Sequence, residues 1–340
     1  MRSGKRLAGG RVWFYTVGLT TGVGVSQGRR AEPRIAGPHG ESRAVGYRSP
    51  TRWARLLGCS RCLGCVLALY DQHLHSRYSW DSKADPAGNV QQAIAAGLAG
   101  LTFTDHFDAH PAEWPQCRYD YEALADTVAG LREQFGDRIF IGHGIEICYQ
   151  HERMDMILDY LAGRPFDVVL LSVHWFGGRA LHVREHWNTL DTWSGTRAYL
   201  EAVLEAARLA RELNRPGCRT FDILGHLDLV KRYTQRYFQT FDVRSHGALV
   251  DEILRTCIEA ELVPEVNLST LRQSLPEPSP ADWVVRRYAE LGGEAMSLGS
   301  DSHKVEDVGA GVGEWAGVLK RNGIGRLAVF KGRQRCDEPL

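Results

Sequence analysis

The chain has 340 residues, with 41 Lys and Arg against 41 Asp and Glu, and 44% of its residues are hydrophobic. This is an ordinary composition for a globular protein, and the length allows one large domain or two small ones. No apolar run approaches the roughly 18 to 20 residues that a membrane-spanning helix requires, so we expect no contact with a membrane core.

The charge is distributed unevenly. Of the 41 basic and 41 acidic residues, 12 and 2 fall in residues 1–65, which leaves 29 and 39 for residues 66–340. Residues 1–65 are rich in Gly, Ser and Arg and show no sustained helical or strand period, so we expect an extension that is disordered or wrongly assigned to the protein. A nucleic-acid-binding tail and a targeting peptide are the alternatives.

Cysteines are spaced irregularly along the chain. Cys59, Cys62 and Cys65 could hold a metal only if a fourth ligand came from elsewhere, and the other five are scattered without pairs at motif spacing. Eight cysteines without a disulfide framework favour a reducing compartment. We therefore expect a cytoplasmic protein.

From residue 66 onward, short β-rich runs alternate with longer amphipathic stretches, which predicts about seven βα units around a parallel sheet or barrel. After a first strand near residues 68–75, Asp85 and Pro86 are the expected N-cap and first residue of a helix. Further strands are predicted at residues 100–104, 138–145, 167–173, 221–225, 262–267 and 295–300. Further helices are predicted at residues 121–135, 153–161, 196–214, 247–261 and 280–292. The predicted domain covers residues 66–335.

The ends of these strands carry residues that bind metals. His73 and His75 alternate along the first strand, so their side chains share a face. The residues at the later strand ends are Asp105, His106, Glu146, His174, His226, Asp228, Glu265, Asn267, Asp301 and His303. Because the carboxyl ends of parallel strands converge on one face of a barrel, we expect a shared metal site there.

Two further histidine patterns do not support a metal site. His143 is out of phase with Glu146 on its strand, so it should face the other side. The stretch from His182 to His186 matches an H-x-x-E-H zinc-protease pattern, but it follows Gly177 and Gly178 in a loop-like region, so we expect no zinc there.

An ordered set of motifs indicates a family. The stretches "DQHLHSRYSWDS", "TFTDH", "GIE", "SVH", "GHLDLVKRY", "EVNLSTLR" and "GSDSH" resemble those of PHP-domain phosphoesterases, and most of all the PHP-type histidinol phosphatases, over about residues 68–334. The resemblance implies a distorted (β/α)7 barrel with three divalent metal ions, Zn, Mn or Fe. Asp81 replaces a histidine found in many relatives, and "NLSTLR" lacks a glycine of the family motif.

The same resemblance implies the metal ligands. It assigns one metal to His73, His75, Glu146 and Asp301, a second to Glu146, His174 and His226, and a third to Asp81, His106 and His303. Glu146 would bridge two ions at a spacing suited to phosphoryl transfer, with Asp301 and His303 as further catalytic residues.

The implied activity is hydrolysis of L-histidinol phosphate to L-histidinol and phosphate, in histidine biosynthesis, by a metal-activated water. Arg272, Arg153 and Lys231 follow strand ends and are predicted to bind the phosphate, so Arg272→Ala should raise KM more than it changes metal content. Asp105 and Asp228 lie beside ligand histidines in sequence and are predicted to orient the imidazoles.

Other functions stay open at this point. The chain could act on another small phosphomonoester or a nucleotide, or it could be a non-catalytic metal- or nucleic-acid-binding protein. The acidic balance of residues 66–340 disfavours a nucleic-acid partner, so a small phosphorylated substrate is the expected partner. The oligomeric state does not follow from the sequence.

Overall fold

A computed structural model describes residues 67–340, except residues 115, 216 and 274. The predicted extension, residues 1–65 with its three cysteines, lies outside the described residues. Within the described part of the chain, no helix combines the length and apolar character needed to cross a membrane.

Strands and helices alternate along the described chain. The strands are β1 (Tyr70–Leu74), β2 (Gly100–Phe103), β3 (His106–Phe107), β4 (Phe140–Cys148), β5 (Val168–Ser172), β6 (Trp175–Phe176), β7 (Arg179–Ala180), β8 (Ile223–Leu224), β9 (Val263–Asn267), β10 (Ala295–Gly299), β11 (Arg326–Lys331) and β12 (Gln334–Pro339). The helices are α1 (Pro86–Ala95), α2 (Tyr121–Phe135), α3 (Met154–Leu161), α4 (Thr192–Leu213), α5 (Val230–Phe238), α6 (Gly247–Glu259), α7 (Asp282–Glu290) and α8 (Val312–Arg321).

Seven parallel strands form the barrel, in the order β1, β2, β4, β5, β8, β9, β10. The first and last strands meet where the carbonyl of His73 accepts from the amide of Asp301 (2.7 Å) and the amide of His75 donates to Ser302 (2.8 Å). Strand β3 adds to β4, and β11 and β12 form an antiparallel pair beyond β10. The predicted distorted (β/α)7 barrel is confirmed.

Local sequence signals account for the starts of α1 and α4. Asp85 caps α1 by accepting from the amide of Gly88 (3.1 Å), as predicted. Helix α4 begins four residues before its predicted start because Asp191 and Ser194 form a capping box. Helices α5 and α8 and strands β11 and β12 were not predicted. For α5 the reason is its mostly polar sequence, in which three residues are buried.

Inside the barrel, the amino-terminal half is apolar. Its buried residues are Val168, Leu170, Ile223, Val263, Ala295, Ala328 and Phe330. The side chain of Gln72 ties β11 across this end, because it accepts from the amide of Phe330 (2.7 Å) and donates to the carbonyl of Ala328. The amino-terminal end is therefore closed by β11, which leaves the carboxyl ends of the strands to form a cavity.

His143 lies on the outer face of β4, as its phase predicts. It is buried against Tyr121 and Phe166, and its Nε2 lies 2.7 Å from the hydroxyl of Tyr119. Burial lowers the pKa of His143 to about 4, even though nearby Asp167 acts to raise it. The folded protein thus keeps this imidazole neutral in a range where the unfolded chain takes up a proton.

This lowered pKa predicts a loss of stability in acid. Between pH 6.5 and pH 5 the unfolded chain binds more protons at position 143 than the folded one, so the free energy of unfolding should fall by about 2 kcal/mol from this residue alone. Urea unfolding at pH 7 and pH 5, with chelator throughout, should show a smaller loss for His143→Gln than for the unsubstituted protein. Equal losses would contradict the assignment.

Candidate metal centre

Glu146 lies at the middle of the candidate site, on the inner face of β4. Its side chain is fully buried, and its two oxygens face different histidines. Oε1 lies 2.9 Å from His226 Nε2 and 3.2 Å from His174 Nε2. Oε2 lies 2.8 Å from His106 Nδ1 and 3.4 Å from His73 Nε2. This carboxylate has the placement needed to bridge two ions.

A second carboxylate faces the two histidines of the first strand. Asp301 Oδ1 lies 3.2 Å from His75 Nε2 and 3.9 Å from His73 Nε2. The ligand atoms of these three buried residues lie within 4.8 Å of one another, which is the spacing of a shared ion. Nε2 of His75 is also 3.6 Å from Glu146 Oε2.

Asp81 closes the third side of the site. Its Oδ2 lies 3.1 Å from His303 Nε2 and 3.5 Å from His106 Nε2. The carboxylate therefore lies beside the two histidines with which the resemblance groups it. All nine predicted metal ligands come together, and we call them the ligand cluster: His73, His75, Asp81, His106, Glu146, His174, His226, Asp301 and His303.

The ligand cluster fits divalent metal ions. Within the described residues, Nε2 of His73 and Nε2 of His75 are buried without a hydrogen-bond partner. Leaving a buried polar atom unpaired costs about 1 to 3 kcal/mol. A cation between these nitrogens and the carboxylates would satisfy both, and a mixed imidazole and carboxylate shell suits Zn, Mn or Fe.

The electrostatics of the ligand cluster prepare it for cations. Burial, together with nearby His303 and His106, lowers the pKa of His75 to about 3, so this imidazole is neutral near pH 7. Burial alone would raise the pKa of Glu146, but His73 and His106 hold it well below its usual value. Burial alone would lower the pKa of His73, His106 and His174, but nearby carboxylates, Glu146 among them, raise each pKa well above its usual value. Without a metal the ligand cluster therefore holds protons beside its carboxylates, and a bound cation would take the place of those protons.

The backbone at two residues of the ligand cluster is left-handed. His226 has φ 20° and Asp301 has φ 51°, a conformation that costs a non-glycine residue on the order of 1 kcal/mol. Arg272 stabilises the loop at Asp301, because one guanidinium nitrogen donates to the carbonyl of Ser300 (2.7 Å). Its Nε lies 3.4 Å from Asp307. Such local strain is found where side-chain placement matters for function.

Three residues outside the ligand cluster orient its imidazoles, and the sequence patterns did not identify them for this role. Nδ1 of His73 lies 2.8 Å from Glu265, and Nδ1 of His174 lies 3.4 Å from Asp108. The hydroxyl of Ser79 lies 3.0 Å from Nδ1 of His75. Contacts to the second ring nitrogen set the tautomer and orientation of a ligand histidine. Glu265 is visible as a strand-end carboxylate, and Asp108 follows His106 by two residues.

Glu265 reaches His73 because the neighbouring strand carries Gly299. A Cβ at position 299 would collide with Oε1 of Glu265 and with Cβ of His73. Glycine is therefore required where β10 passes this pair.

The predicted orienting roles of Asp105 and Asp228 are wrong in the described structure. Asp105 accepts from the backbone amide of Ser76 (2.7 Å) and from the Ser76 hydroxyl, so it supports the loop after His75 rather than an imidazole. Asp228 is buried in an ion pair with Lys231 (3.0 Å) and accepts from Ser279. Adjacency in sequence to a histidine did not bring either carboxylate to a ring.

The predicted phosphate-binding cations also require correction. Lys231 is fully buried, with its Nζ 3.0 Å from both Asp228 and Glu277. Arg153 is exposed on a 3₁₀ turn, and Arg272 binds the loop at Asp301. None of the three lines the cavity of about 170 Å³ that opens on the ligand cluster.

In the described part of the chain, Arg232 is the one Lys or Arg that lines this cavity. Its guanidinium donates to the hydroxyl of Ser269 (2.6 Å) and lies 3.8 Å from Asp301 Oδ2. Lys231 precedes it by one residue, and one residue is about 100° around a helix. That rotation places Lys231 in the core and Arg232 beside the ligand cluster.

Arg232→Ala is expected to raise KM for a phosphorylated substrate by about 10- to 100-fold, because a charge-assisted pair with the phosphate is lost. Steady-state kinetics and metal analysis would test this. Arg236→Ala, one helical turn further on and outside this cavity, is the matched control. An unchanged KM in Arg232→Ala would remove Arg232 from the site. Arg272→Ala should instead reduce metal content through the Asp301 loop.

The fold and the ligand cluster together define a barrel enzyme class with a metal centre at the carboxyl ends of its strands. The family model described as PHP domain matches residues 71–269. The chain belongs to the PHP-domain family.

Curated relatives and a solved structure agree with this family. A histidinol-phosphatase of Lactococcus lactis subsp. lactis is 27% identical over 268 residues, which is 77% of this chain and 94% of that protein. A protein of Deinococcus radiodurans named "Probable histidinol-phosphatase" is 28% identical over 278 residues, 79% of this chain and 99% of that protein.

Among solved structures, the fold is similar to a crystal structure of histidinol phosphate phosphatase from Lactococcus lactis, complexed with Zn, L-histidinol and phosphate. The TM-score is 0.69 with 26% identity, covering 79% of this chain and 99% of that one. These findings confirm the resemblance to PHP-type histidinol phosphatases and the prediction that the chain is a phosphatase that uses divalent metal.

Proposed function

We propose that this protein hydrolyses L-histidinol phosphate to L-histidinol and phosphate, with three divalent ions held by the ligand cluster. The observation that carries the proposal is the split carboxylate of Glu146, whose two oxygens face different sets of histidines within a buried centre. The relatives named above support the substrate.

The three proposed ion positions are those that the family resemblance implies, and the contacts in the ligand cluster support them. The first ion would bind His73, His75, Glu146 and Asp301. The second would bind Glu146, His174 and His226, and the third Asp81, His106 and His303. We assign Zn, Mn or Fe to these positions, because imidazole and carboxylate ligands together suit these metals.

When bound, the ions would activate a water molecule and neutralise the phosphoryl oxygens. The chain's own residues position the reactants. Arg232 lies on the cavity wall beside Asp301, where it can hold a phosphoryl oxygen by charge-assisted hydrogen bonds. Burial of Glu146 and Asp301 keeps bulk water away from the ligand cluster, which strengthens each electrostatic contact.

Phosphate release by the full chain tests the proposal. Protein reconstituted with Zn or Mn would be assayed on L-histidinol phosphate, sugar phosphates, nucleotides and p-nitrophenyl phosphate. We expect a clear preference for L-histidinol phosphate in kcat/KM. Metal-dependent activity directed at another member of the panel would keep the phosphatase and reject the substrate.

The domain division is a separate part of the proposal. We expect residues 66–335 to contain the catalytic barrel, with residues 1–65 dispensable. A protein that starts at residue 66 should retain the kcat/KM and the thermal unfolding midpoint of the full chain. Loss of activity with unchanged stability would give residues 1–65 a functional role. We also propose that the protein is cytoplasmic and that it binds neither a membrane nor a nucleic acid.

A further inference from the structure

The cavity above the ligand cluster is lined by an arginine and a glutamate, Arg232 and Glu113. Arg232 contacts Ser269 and Asp301, which follow β9 and β10. Glu113 lies between β3 and α2. Its carboxylate accepts a hydrogen bond from Nε1 of Trp175 (2.8 Å), a residue that follows β5. Both side chains line the cavity that opens on the ligand cluster.

Neither Arg232 nor any residue of the ligand cluster forms an ion pair with Glu113. In the described part of the chain, no Lys or Arg lies within ion-pair distance of its carboxylate, and its indole donor is neutral. Asp108, its nearest acidic neighbour, lies against His174 Nδ1 and so orients that ligand. Burial and the nearby carboxylate of Asp108 raise the pKa of Glu113, so a cation bound in the cavity would relieve the repulsion between these two carboxylates.

An exposed aromatic residue lies at the same cavity. Trp80 lines it and is 52% exposed, which is unusual for a side chain of this size. An indole face at the rim attracts cations and flat rings. A carboxylate and an aromatic face together suit a ligand that carries a positive charge on an aromatic ring or on an amine.

We propose that Glu113 is a specificity residue that binds the positively charged amino group of the substrate, while the phosphate lies at the ligand cluster and Arg232. This inference rests on the proposed function and deepens it, because it restricts the substrates to phosphomonoesters that carry an ammonium group. A neutral sugar phosphate would bury the carboxylate with no positive charge beside it, which costs binding free energy.

The test compares L-histidinol phosphate with its analogue in which hydrogen replaces the amino group, on the full chain loaded with Zn or Mn. We expect kcat/KM to favour the aminated substrate, and Glu113→Gln to reduce that preference by about 10- to 100-fold, mainly through KM. Glu113→Asp should restore part of the preference. Glu152→Gln, which removes an exposed charge outside the cavity, is the matched control.

Trp175→Phe separates recognition from a structural role. This variant removes the indole donor but keeps the carboxylate, so most of the preference for the amine should remain. If Glu113→Gln lowered kcat/KM equally for both substrates, Glu113 would serve only to hold Trp175, and the proposal would be overturned. Ligand atoms of Asp108, Glu113 and Cys117 lie within 4.8 Å of one another, so these residues could instead hold a metal ion. If metal analysis found one more ion per chain in the unsubstituted protein than in Glu113→Gln, the proposal would be overturned as well.

A second substrate pair keeps this result independent of histidinol phosphate. If the protein hydrolyses other phosphomonoesters but not L-histidinol phosphate, 2-aminoethyl phosphate would be compared with ethyl phosphate. A preference for the amine that falls in Glu113→Gln would support the inference while the proposed substrate fails. No preference for the amine in the unsubstituted protein would overturn the inference.

Discussion

Glu146→Gln is expected to lower kcat/KM by more than about 100-fold, since loss of an outer contact to a metal ligand already costs about 10- to 100-fold. Glutamine has nearly the same size, but it has a single oxygen and no charge. It therefore cannot place one anionic oxygen beside His174 and His226 and a second one beside His73 and His106. Metal content per chain should fall together with the activity.

Glu265→Gln provides the graded comparison for this substitution. Glu265 is as buried as Glu146, but it contacts the ligand cluster from outside, at Nδ1 of His73 and at the backbone amide of His226 (2.9 Å). We expect a smaller loss, about 10- to 100-fold, with most of the metal retained. Thermal unfolding of both variants would separate loss of metal from loss of fold. Glu146→Gln with full metal content and near-normal kinetics would contradict the bridging role.

Removal of the metal is expected to abolish activity and to lower the thermal unfolding midpoint. A ligand that binds only the folded state stabilises it by RT ln(1 + [L]/Kd), which is about 4 kcal/mol at 1,000 times Kd. Without the ions, Nε2 of His73 and Nε2 of His75 stay buried and unpaired in the described structure. Calorimetry and phosphate release before and after dialysis against a chelator would measure both effects.

Addition of Zn or Mn to the metal-free protein should restore both the activity and the unfolding midpoint. Dialysis without chelator is the control for losses unrelated to metal. Activity that persisted after metal had fallen below detection would contradict the metal-dependent mechanism. A restored midpoint without restored activity would show that the added metal binds but is not the one that supports turnover.

The strand ends were readable from the sequence because each parallel strand contributes its carboxyl end to the same face of the barrel. The order of the motifs predicted which strand end carries each residue of the ligand cluster, and the structure brings all nine together, including Asp81. The phase of His143 on β4 likewise predicted that it faces away from Glu146. Period-two alternation is a local property, so a single sequence suffices to predict it.

The cations were not predictable in the same way. Lys231 and Arg232 are neighbours in α5, and the sequence contains no signal that says which of them faces the cavity. The answer depends on the rotation of α5 about its axis, which is set by packing against other elements. Asp228 and Glu277 hold Lys231 in the core, and Ser269 binds Arg232 beside Asp301.

The sequence by itself therefore determined the alternation of strands and helices and the ligand types at the strand ends, because these depend on local periodicity, and the order of its motifs indicated the barrel through the family resemblance. Only the tertiary structure decided which carboxylates orient the imidazoles, which arginine faces the cavity and where Glu113 presents its charge. Those features depend on contacts between residues far apart in the chain, such as Glu265 with His73 and Trp175 with Glu113. No local pattern encodes such contacts, since they arise only when the strands and loops pack together.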